Sequence, residues 1–254
     1  MFRTIMRITM LGTGTSMPDS TRVQSGALVE TQSQRVLVDI GSGVLHRLAQ
    51  IDFNFTSLDA VFITHFHVDH CSDFMTLLQT LWMSGFDKAL SVYGPPMIED
   101  WLQALRDSAF PYLAAKIELR VHPLSIGETV VSGDLKVTNT ETLHGTMDTR
   151  ALRIEDDDSV ALFSSDTAPS QRVIDLARGA DILIHECNWL DGPHPEGVHT
   201  SPGELARIVQ EVAPRLLALT HVSPEVVADR DSVLQQISAE TDARVVMSED
   251  LMQL

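Results

Sequence analysis

A chain of 254 residues with 44% hydrophobic content is long enough to bury a sizeable core, and it predicts a globular, water-soluble protein. Its net charge of −17 at pH 7 argues against a nucleic-acid partner, because no cluster of Lys and Arg offsets the repulsion. No apolar run is long enough to cross a bilayer, and MFRTIMRITMLG continues into a strand pattern instead of a cleavage site. We therefore expect a cytoplasmic protein without membrane association, which the low cysteine content (Cys71 and Cys187) also favours.

Strand and helix patterns alternate along the chain. Short runs rich in β-branched residues predict strands at RITML, ALVET, RVLVDI, AVFIT, LSVYG, IELRVHPL, LKVTNTETL, RALRIE, SVALFSSD, DILIHE, LLALTHV and ARVVMS. Helical spacing predicts helices over residues 44–51, 69–84, 97–107, 170–178, 201–212 and 224–239. The alternation is typical of an α/β fold, and we expect one domain, residues 1–254, built of two similar halves. The acidic residues 155–158 predict a solvated hairpin turn.

Metal-ligand side chains are concentrated in THFHVDH, residues 64–70. His65, His67, Asp69 and His70 follow the strand pattern LDAVFIT at its carboxyl end, where a loop can turn several side chains inward. Neutral imidazoles and a carboxylate are ligands for a borderline divalent cation such as Zn²⁺, so the first two could address one ion and the last two a second. The alternative is a His-rich surface loop, which is a rare coincidence in a chain with ten histidines.

Further candidate ligands stand at comparable places. His144, Asp166 and His221 each lie at or just past the end of a strand-like run. Each has an ordinary alternative, since a lone histidine is often a hydrogen-bonded structural residue and Asp166 could cap a helix. Together with the first four residues, these three complete two adjacent metal sites.

At this point the sequence resembles a known superfamily. The segments LGTGTSMP, LVDIGSG, THFHVDH, VYGPP, LHG, FSSDT, ADILIHE, HTSPGELA and LTHVSP are similar, in order, to those of metallo-β-lactamase fold hydrolases, in particular the ribonuclease Z-like and arylsulfatase-like branch. The resemblance covers nearly the whole chain and implies a four-layer αβ/βα sandwich of two mixed β-sheets flanked by helices, with the site at one edge. It also implies the ligand sets: one ion is bound by His65, His67 and His144, the other by Asp69, His70 and His221, and both by a bridging Asp166.

The chemistry of such a site follows from electrostatics. Two divalent ions about 3.5–4 Å apart lower the pKa of a shared water to about 7 and so provide a bridging hydroxide as the nucleophile. In ribonuclease Z-like proteins an acidic residue pairs with a histidine of a His-Ser/Thr segment, which resembles Glu186 and His199 here. The resemblance implies that His199 donates a proton to the leaving group and Glu186 orients it, with Asp69 as a third catalytic residue; the alternative is that His199 anchors a loop. His185 is expected to be structural, because neighbouring strand residues face opposite ways.

The sequence also departs from the tRNA-processing relatives. Those enzymes carry a flexible basic arm between the residues that match His144 and Asp166, whereas here only 22 positions (144 to 166) separate them. The loop after the first strand keeps only Arg22 of the relatives' Lys, Asn and Arg pattern, and Asp73 stands where glycine is usual. With the acidic charge, these departures predict that nucleic acid is not the substrate.

The sequence therefore predicts a dinuclear metal-dependent hydrolase, specifically a phosphodiesterase on a small phosphodiester or a related anionic ester. We expect two Zn²⁺ ions, with Mn²⁺ or Fe²⁺ as alternatives. An arylsulfatase or lactonase-like hydrolase is the alternative enzyme; a ribonuclease Z-type tRNA endonuclease, a di-iron redox protein and a non-catalytic metal-binding scaffold are further alternatives. Relatives of this kind are often homodimers, so a homodimer is a candidate assembly. By analogy, Asp39 lines or braces the pocket.

Overall fold

Two mixed β-sheets face each other in the computed structural model, which describes residues 6–254. The first sheet contains six strands in sequence order: β1 (Arg7–Gly12), β2 (Gly26–Glu30), β3 (Arg35–Val38), β4 (Ala60–Phe62), β5 (Leu90–Gly94) and β6 (Leu119–Pro123). Strands β1 to β3 pair antiparallel, and β3 to β6 pair parallel. The parallel strands therefore present their carboxyl ends at one edge.

The second sheet repeats this arrangement. It contains seven strands, again in sequence order from one edge to the other: β7 (Thr129–Ser132), β8 (Leu135–Glu141), β9 (Arg150–Glu155), β10 (Val160–Phe163), β11 (Ile182–Glu186), β12 (Leu216–Thr220) and β13 (Arg244–Met247). Strands β7 to β10 are antiparallel and β10 to β13 are parallel. The acidic residues 155–158 form the predicted turn between β9 and β10, where Asp156 Oδ1 accepts the backbone N–H groups of Asp158 (3.0 Å) and Ser159 (2.7 Å).

Helices cover the outer face of each sheet. The first half contributes α1 (Val44–Gln50), α2 (Val68–Cys71), α3 (Phe74–Met83) and α4 (Ile98–Ala104), whose apolar side chains share a core with β3 to β6. The second half contributes α5 (Gln171–Ala177), α6 (Pro202–Val212), α7 (Pro224–Ala228) and α8 (Arg230–Ser238), which cover the other sheet. A third core lies between the sheets and includes Phe62 and Phe163. The predicted four-layer αβ/βα sandwich is confirmed.

Local sequence signals explain where several helices begin. Ser201 and Glu204 form a capping box at α6, in which the Glu204 carboxylate accepts the Ser201 N–H at 3.0 Å, and Pro202 fits the first helical position. At α7 the Ser223 hydroxyl accepts the Val226 N–H at 3.3 Å. No helix in residues 6–254 has both the length and the apolar character that a membrane span requires.

Two predicted helices are interrupted, and one strand was missed. The helix expected over residues 69–84 is broken at Ser72 and Asp73, because the Asp73 carboxylate accepts the N–H groups of Gly43 (2.9 Å) and Leu45 (3.2 Å) at the start of α1. The helix expected over residues 224–239 is broken at Asp229. Strand β7 escaped prediction because it is a short edge strand, Thr129–Ser132, with only two apolar residues.

Candidate metal centre

The THFHVDH segment begins just past the carboxyl end of β4. Here the chain leaves the sheet and turns into the short helix α2, with His67 at its N-cap and Asp69 and His70 inside it. The side chains of His65, Asp69 and His70 are buried, and that of His67 is half-buried. Four ligand-type residues are thus directed inward by one loop and one helical turn, as the sequence predicts.

The second sheet supplies the remaining candidates. His144 follows β8, Asp166 follows β10, and His221 directly follows β12, while Glu186 is the last residue of β11. All four side chains are buried. Because these strands end at the edge that faces the THFHVDH segment, His221 approaches Asp69 across 152 positions of sequence.

The first group of converging side chains contains three histidines and an aspartate. His67 Nδ1 lies 3.1 Å from His65 Nε2 and 3.2 Å from His144 Nε2. Asp166 Oδ2 lies 3.6 Å from His144 Nε2 and 3.9 Å from His65 Nε2. One ligand atom from each of the four residues lies within 4.8 Å of the others, so the group could hold one metal ion.

The second group shares Asp166 with the first. His221 Nε2 lies 3.2 Å from Asp69 Oδ2 and 3.4 Å from Asp166 Oδ2, and His70 Nε2 lies 3.7 Å from the same Asp69 oxygen. His70 Nε2 is also 3.4 Å from Asp166 Oδ1. Asp69, His70 and His221 meet the same distance criterion for a metal group, and the Asp166 carboxylate lies between the two groups.

The protonation states of the first group suit a cation. Burial lowers the pKa of His65 well below its ordinary value and also lowers the pKa values of His67 and His144, with the neighbouring histidines adding to the effect at His65 and His67. These rings are therefore neutral near pH 7. The Nδ1–H of His144 donates to the Val198 carbonyl at 2.8 Å, which leaves Nε2 with its lone pair directed at the other rings.

Unsatisfied polar atoms in the second group also fit bound metal. His70 Nε2, His221 Nδ1 and Asp166 Oδ1 are buried and have no hydrogen-bond partner among the described residues. Leaving such an atom unpaired costs about 1–3 kcal/mol. A divalent cation between these side chains would satisfy the first and the third, since His70 Nε2 and Asp166 Oδ1 face each other.

Asp39 braces the second group from behind. It accepts the Thr64 N–H at 2.7 Å, the Thr64 hydroxyl at 2.9 Å and the His70 Nδ1–H at 2.8 Å. Burial opposes a charge on His70, but the Asp166 and Asp39 carboxylates outweigh it and hold the pKa of this ring well above its ordinary value. A cation bound at Nε2 would displace the proton there, and the hydrogen bond to Asp39 would keep the other proton on Nδ1. Of the two roles predicted for Asp39, lining the pocket or bracing it, these contacts support bracing.

Glu186 and His199 form a pair beside both groups. His199 Nδ1 lies 2.7 Å from Glu186 Oε1, and Glu186 also accepts the backbone N–H groups of Thr167 (2.8 Å), Asn188 (3.2 Å) and Thr200 (3.2 Å). These donors fix the position of the carboxylate. Burial lowers the pKa of His199, so the ring is neutral near pH 7 and its Nε2 must first accept a proton before it can donate one.

The His199 ring faces the candidate metal ligands. Its centroid lies 4.9 Å from that of His144 and 5.5 Å from that of His221. His185, next to Glu186, lies on the other side of β11, and burial lowers its pKa to about 4. Its Nδ1–H donates to the Glu186 carbonyl at 2.8 Å, which is the structural role that the sequence predicts.

Comparison with known proteins shows to which family this chain belongs. A family model described as "Anti-Pycsar protein Apyc1" matches residues 6–238. The chain belongs to this family. The ribonuclease Z of Methanosarcina acetivorans is 27% identical over an alignment of 301 positions, gaps included. The alignment covers 98% of this chain and 98% of the relative.

Solved structures agree with this assignment. The metallo-β-lactamase fold protein YhfI from Bacillus subtilis is 25% identical to this Apyc1-family chain, with a TM-score of 0.86 and 98% coverage of both chains. A diphosphatase from the PhnP family is 18% identical, with a TM-score of 0.77 and 98% and 97% coverage, and shares the fold. The predicted membership of the metallo-β-lactamase fold superfamily, with ribonuclease Z-like relatives, is confirmed, and the chain is a metal-dependent hydrolase.

The structure also accounts for the predicted departures from tRNA-processing enzymes. The hairpin of β9 and β10 occupies the interval between His144 and Asp166 in this Apyc1-family chain. Arg22 is 7% exposed, and its guanidinium donates to the Thr13 hydroxyl and the Ser248 carbonyl. It is therefore engaged inside the protein and is not presented to a phosphate backbone.

Some contributors to the site were not predicted from the sequence. Asp73 was recognised only as a replacement for glycine, yet it caps α1 and so links that helix to the THFHVDH segment. The Trp189 ring lies 5.2 Å from the His199 ring, so it packs beside the pair formed by Glu186 and His199. Trp101 instead lies against Phe66 and Phe74 in the first core. A tryptophan in a loop has no sequence periodicity from which its direction could be read.

Proposed function

We propose that this protein is a dinuclear metal-dependent phosphodiesterase that acts on a small phosphodiester or a related anionic ester. The observation that supports the proposal most is the convergence of seven ligand-type side chains from both sheets, with unsatisfied ligand atoms among them. The curated relatives include ribonuclease Z, and a diphosphatase shares the fold, so phosphoryl chemistry occurs among proteins similar to this chain.

The proposed ligands divide into two sets. One ion would be held by His65, His67 and His144, the other by Asp69, His70 and His221, with Asp166 shared between them. Imidazole and carboxylate donors favour Zn²⁺, with Mn²⁺ or Fe²⁺ as alternatives. When bound, two such ions lower the pKa of a water molecule and offset the negative charge of an attacked phosphoryl group.

Three side chains are proposed to handle protons. His199 is tied to Glu186 through Nδ1, so the proton it delivers to a leaving-group oxygen would come from Nε2. Glu186 holds the ring in this orientation. Asp69, besides serving as a ligand, would accept a hydrogen bond from the attacking water and orient it.

Several observations favour a small substrate over RNA. The net charge of −17 repels a polyanion, Arg22 is buried, and a β-hairpin connects His144 to Asp166. A single phosphodiester, by contrast, carries one negative charge, which the ligand cluster can offset when its ions are bound.

The remaining proposals concern organisation. We place the protein in the cytoplasm, because both free cysteines are buried, as expected of a chain that needs no disulfide. We also treat residues 1–254 as one domain of two similar halves, since each sheet runs from antiparallel to parallel pairing in sequence order. A homodimer is the proposed assembly, and size-exclusion chromatography with light scattering would test it.

Metal analysis tests the ligand assignment directly. Protein purified without chelator should contain about two ions per chain, and His67→Ala should retain about one. His46→Ala, which removes an exposed histidine of α1, is the matched control and should keep both. Wild-type protein that binds no Zn²⁺, Mn²⁺ or Fe²⁺ would refute the assignment.

A substrate panel tests the reaction. Reconstituted enzyme should hydrolyse bis-p-nitrophenyl phosphate faster than p-nitrophenyl sulfate or a simple lactone, and faster than it cleaves a tRNA precursor. A preference for the sulfate or the lactone would assign the arylsulfatase or lactonase-like reaction instead, and activity on none of them would favour a non-catalytic scaffold.

A leaving-group series tests His199. His199→Ala should lower kcat without changing metal content, and the loss should be smaller for leaving groups that need no proton. Equal losses across the series would rule out proton donation by His199.

A further inference from the structure

Residues 249–254 return to the first sheet and place an acidic side chain, that of Asp250, against the loop that follows β1. Leu251 N–H donates to the Met10 carbonyl at 2.6 Å, and Met10 N–H donates to the Met252 carbonyl at 2.9 Å. Asp250 is thereby set between the loop that follows β1 and the segment that precedes β2. Its side chain is only 5% exposed.

One oxygen of Asp250 holds the loop after β1. Its Oδ1 accepts the Thr13 N–H at 3.0 Å and the Thr13 hydroxyl at 2.7 Å. The Thr13 carbonyl in turn accepts the Val222 N–H at 3.1 Å. Val222 directly follows His221, whose φ of 49° lies in the left-handed region and costs a non-glycine residue roughly 1 kcal/mol. The Thr13 contact therefore supports the strained backbone that aims His221 at the site.

The other oxygen of Asp250 holds the segment before β2. Its Oδ2 accepts the Val23 N–H at 2.7 Å and the Arg47 Nε–H at 3.0 Å. The adjoining Gln24 lies against Gly41, where an added Cβ would stand 2.8 Å from Gln24 Cβ and 2.0 Å from the Asp69 carbonyl oxygen. Both atoms lie on the side of Gly41 where a Cβ would project, so the segment before β2 packs against Gly41 beside the backbone of Asp69.

We propose that Asp250 is a positioning residue for the group formed by Asp69, His70 and His221. It touches none of the three; it holds the two segments that support the backbones of Asp69 and His221. The other ligand group is oriented by different contacts, such as the hydrogen bond from His144 to the Val198 carbonyl. The inference rests on the proposed function, because it concerns the affinity of that group for a metal ion.

Weaker metal binding at one of the two groups is the measurable consequence of this role. Asp250→Ala removes the acceptor of Thr13, Val23 and Arg47 at once. The two segments that support the backbones of Asp69 and His221 are then no longer held together, so the distance between these two side chains is no longer fixed. Partners that orient metal ligands typically change affinity 10–100-fold when they are removed. We expect Asp250→Ala to bind one of its two ions at least tenfold more weakly and the other with unchanged affinity.

The experiment is a competition titration of chelator-stripped protein with Zn²⁺ against a chromophoric chelator. In the His67→Ala background, which leaves the second group to bind the ion, adding Asp250→Ala should produce the same tenfold loss. In the His70→Ala background, which leaves the first group to bind the ion, adding Asp250→Ala should produce no loss of Zn²⁺ affinity. The absorption spectrum of the Co²⁺-substituted protein reports the geometry of the remaining site independently of turnover.

Two variants serve as controls. Glu249→Gln removes one negative charge at the neighbouring residue, as Asp250→Ala does. The Glu249 carboxylate is 56% exposed and paired with Arg230, so this variant should leave both metal affinities unchanged. Asp250→Asn keeps one acceptor oxygen and should lie between wild type and Asp250→Ala. If Asp250→Ala does not fold by circular dichroism, Thr13→Val replaces it. That change removes the hydroxyl contacts of Thr13 with Asp250 and Arg22 but keeps the hydrogen bond from the Thr13 N–H to Asp250, and it should weaken the same ion by a smaller factor.

The outcomes separate the two proposals. Wild-type protein with two ions and an Asp250→Ala variant that binds both equally well would overturn the positioning role and leave the proposed function intact. Equal weakening of both ions, together with a lower melting temperature, would show a general loss of stability and would also overturn it. Wild-type protein that binds no ion would overturn both proposals.

Discussion

Replacing Asp39 by asparagine tests whether the tautomer of His70 controls metal binding. Asp39 adopts a left-handed backbone conformation, φ 60°, which Asn tolerates as well as Asp does, so the change leaves the fold of this turn unstrained. Its two oxygens have different tasks. Oδ1 accepts the Thr64 N–H, and Oδ2 accepts both the Thr64 hydroxyl and the His70 Nδ1–H.

Neither orientation of the asparagine amide satisfies these donors. If the NH₂ group replaces Oδ2, it faces the His70 Nδ1–H, and the ring relieves the conflict by moving its proton to Nε2. That is the nitrogen that faces Asp166 and Asp69, so the ring can no longer act as a ligand there. If the NH₂ group replaces Oδ1, it faces the backbone N–H of Thr64, which has no alternative tautomer.

The expected magnitude follows from these contacts. A hydrogen bond to a charged group contributes about 1.5–3 kcal/mol, and loss of a carboxylate that orients a ligating histidine weakens metal binding about 10–100-fold, or roughly 1.4–2.7 kcal/mol. Asp39→Asn should therefore lower the affinity for one Zn²⁺ by that factor in a chelator competition titration.

A matched control separates this effect from the change of residue type. Asp52→Asn alters another aspartate with a left-handed backbone, φ 52°, at an exposed position, and it should have no effect on metal binding. An Asp39→Asn variant that binds both ions as tightly as wild type would refute the tautomer argument.

Three further predictions concern stability and reactivity. Asp73→Ala removes the acceptor for N–H groups at the start of α1 and should reduce the free energy of unfolding by about 0.5–2 kcal/mol. Differential scanning calorimetry would register this as a fall of several degrees in Tm. An unchanged Tm would contradict the role of Asp73 as a cap of α1. Removing metal with a chelator should lower Tm, and added Zn²⁺ should restore it, because an ion that binds only the folded state stabilises it; equal Tm values would count against bound metal. Burial raises the pKa of the Cys187 thiol, so the group stays protonated at pH 8. Cys187 should therefore resist iodoacetamide until the protein is unfolded. Rapid labelling of Cys187 in the native protein would contradict this burial.

Residues close together in sequence were the easier part of the site to predict. The four candidate ligands from His65 to His70 could be recognised directly, because three histidines and an aspartate at this spacing seldom occur together outside a metal site. The three remote ligands each had an ordinary alternative, and only the resemblance to a family sorted them into groups. The structure places all seven together, but it does so through strand pairings that no local pattern encodes.

Supporting residues were harder to predict, for a physical reason. Asp250 acts on Thr13 across 237 positions, and nothing about an aspartate near Ser248 and Glu249 indicates such a partner. Asp73 likewise breaks a predicted helix because its carboxylate serves the start of another helix. Hydrogen bonds of this kind depend on where two segments finally lie, and amphipathic periodicity carries no information about that.

The division of the proposed ligands between the two sheets would couple metal binding to folding. His65, His67, Asp69 and His70 come from the first sheet, whereas His144, Asp166 and His221 come from the second. Each proposed ion would therefore join the sheets at their shared edge, where His70 Nε2, His221 Nδ1 and Asp166 Oδ1 have no hydrogen-bond partner among the described residues. Binding energy at this edge is then also folding energy, because the ligands are assembled only when the sheets are packed. For the same reason Asp39 and Asp250, which hold the ligands without touching an ion, should affect metal affinity more strongly than their distance from the chemistry would indicate.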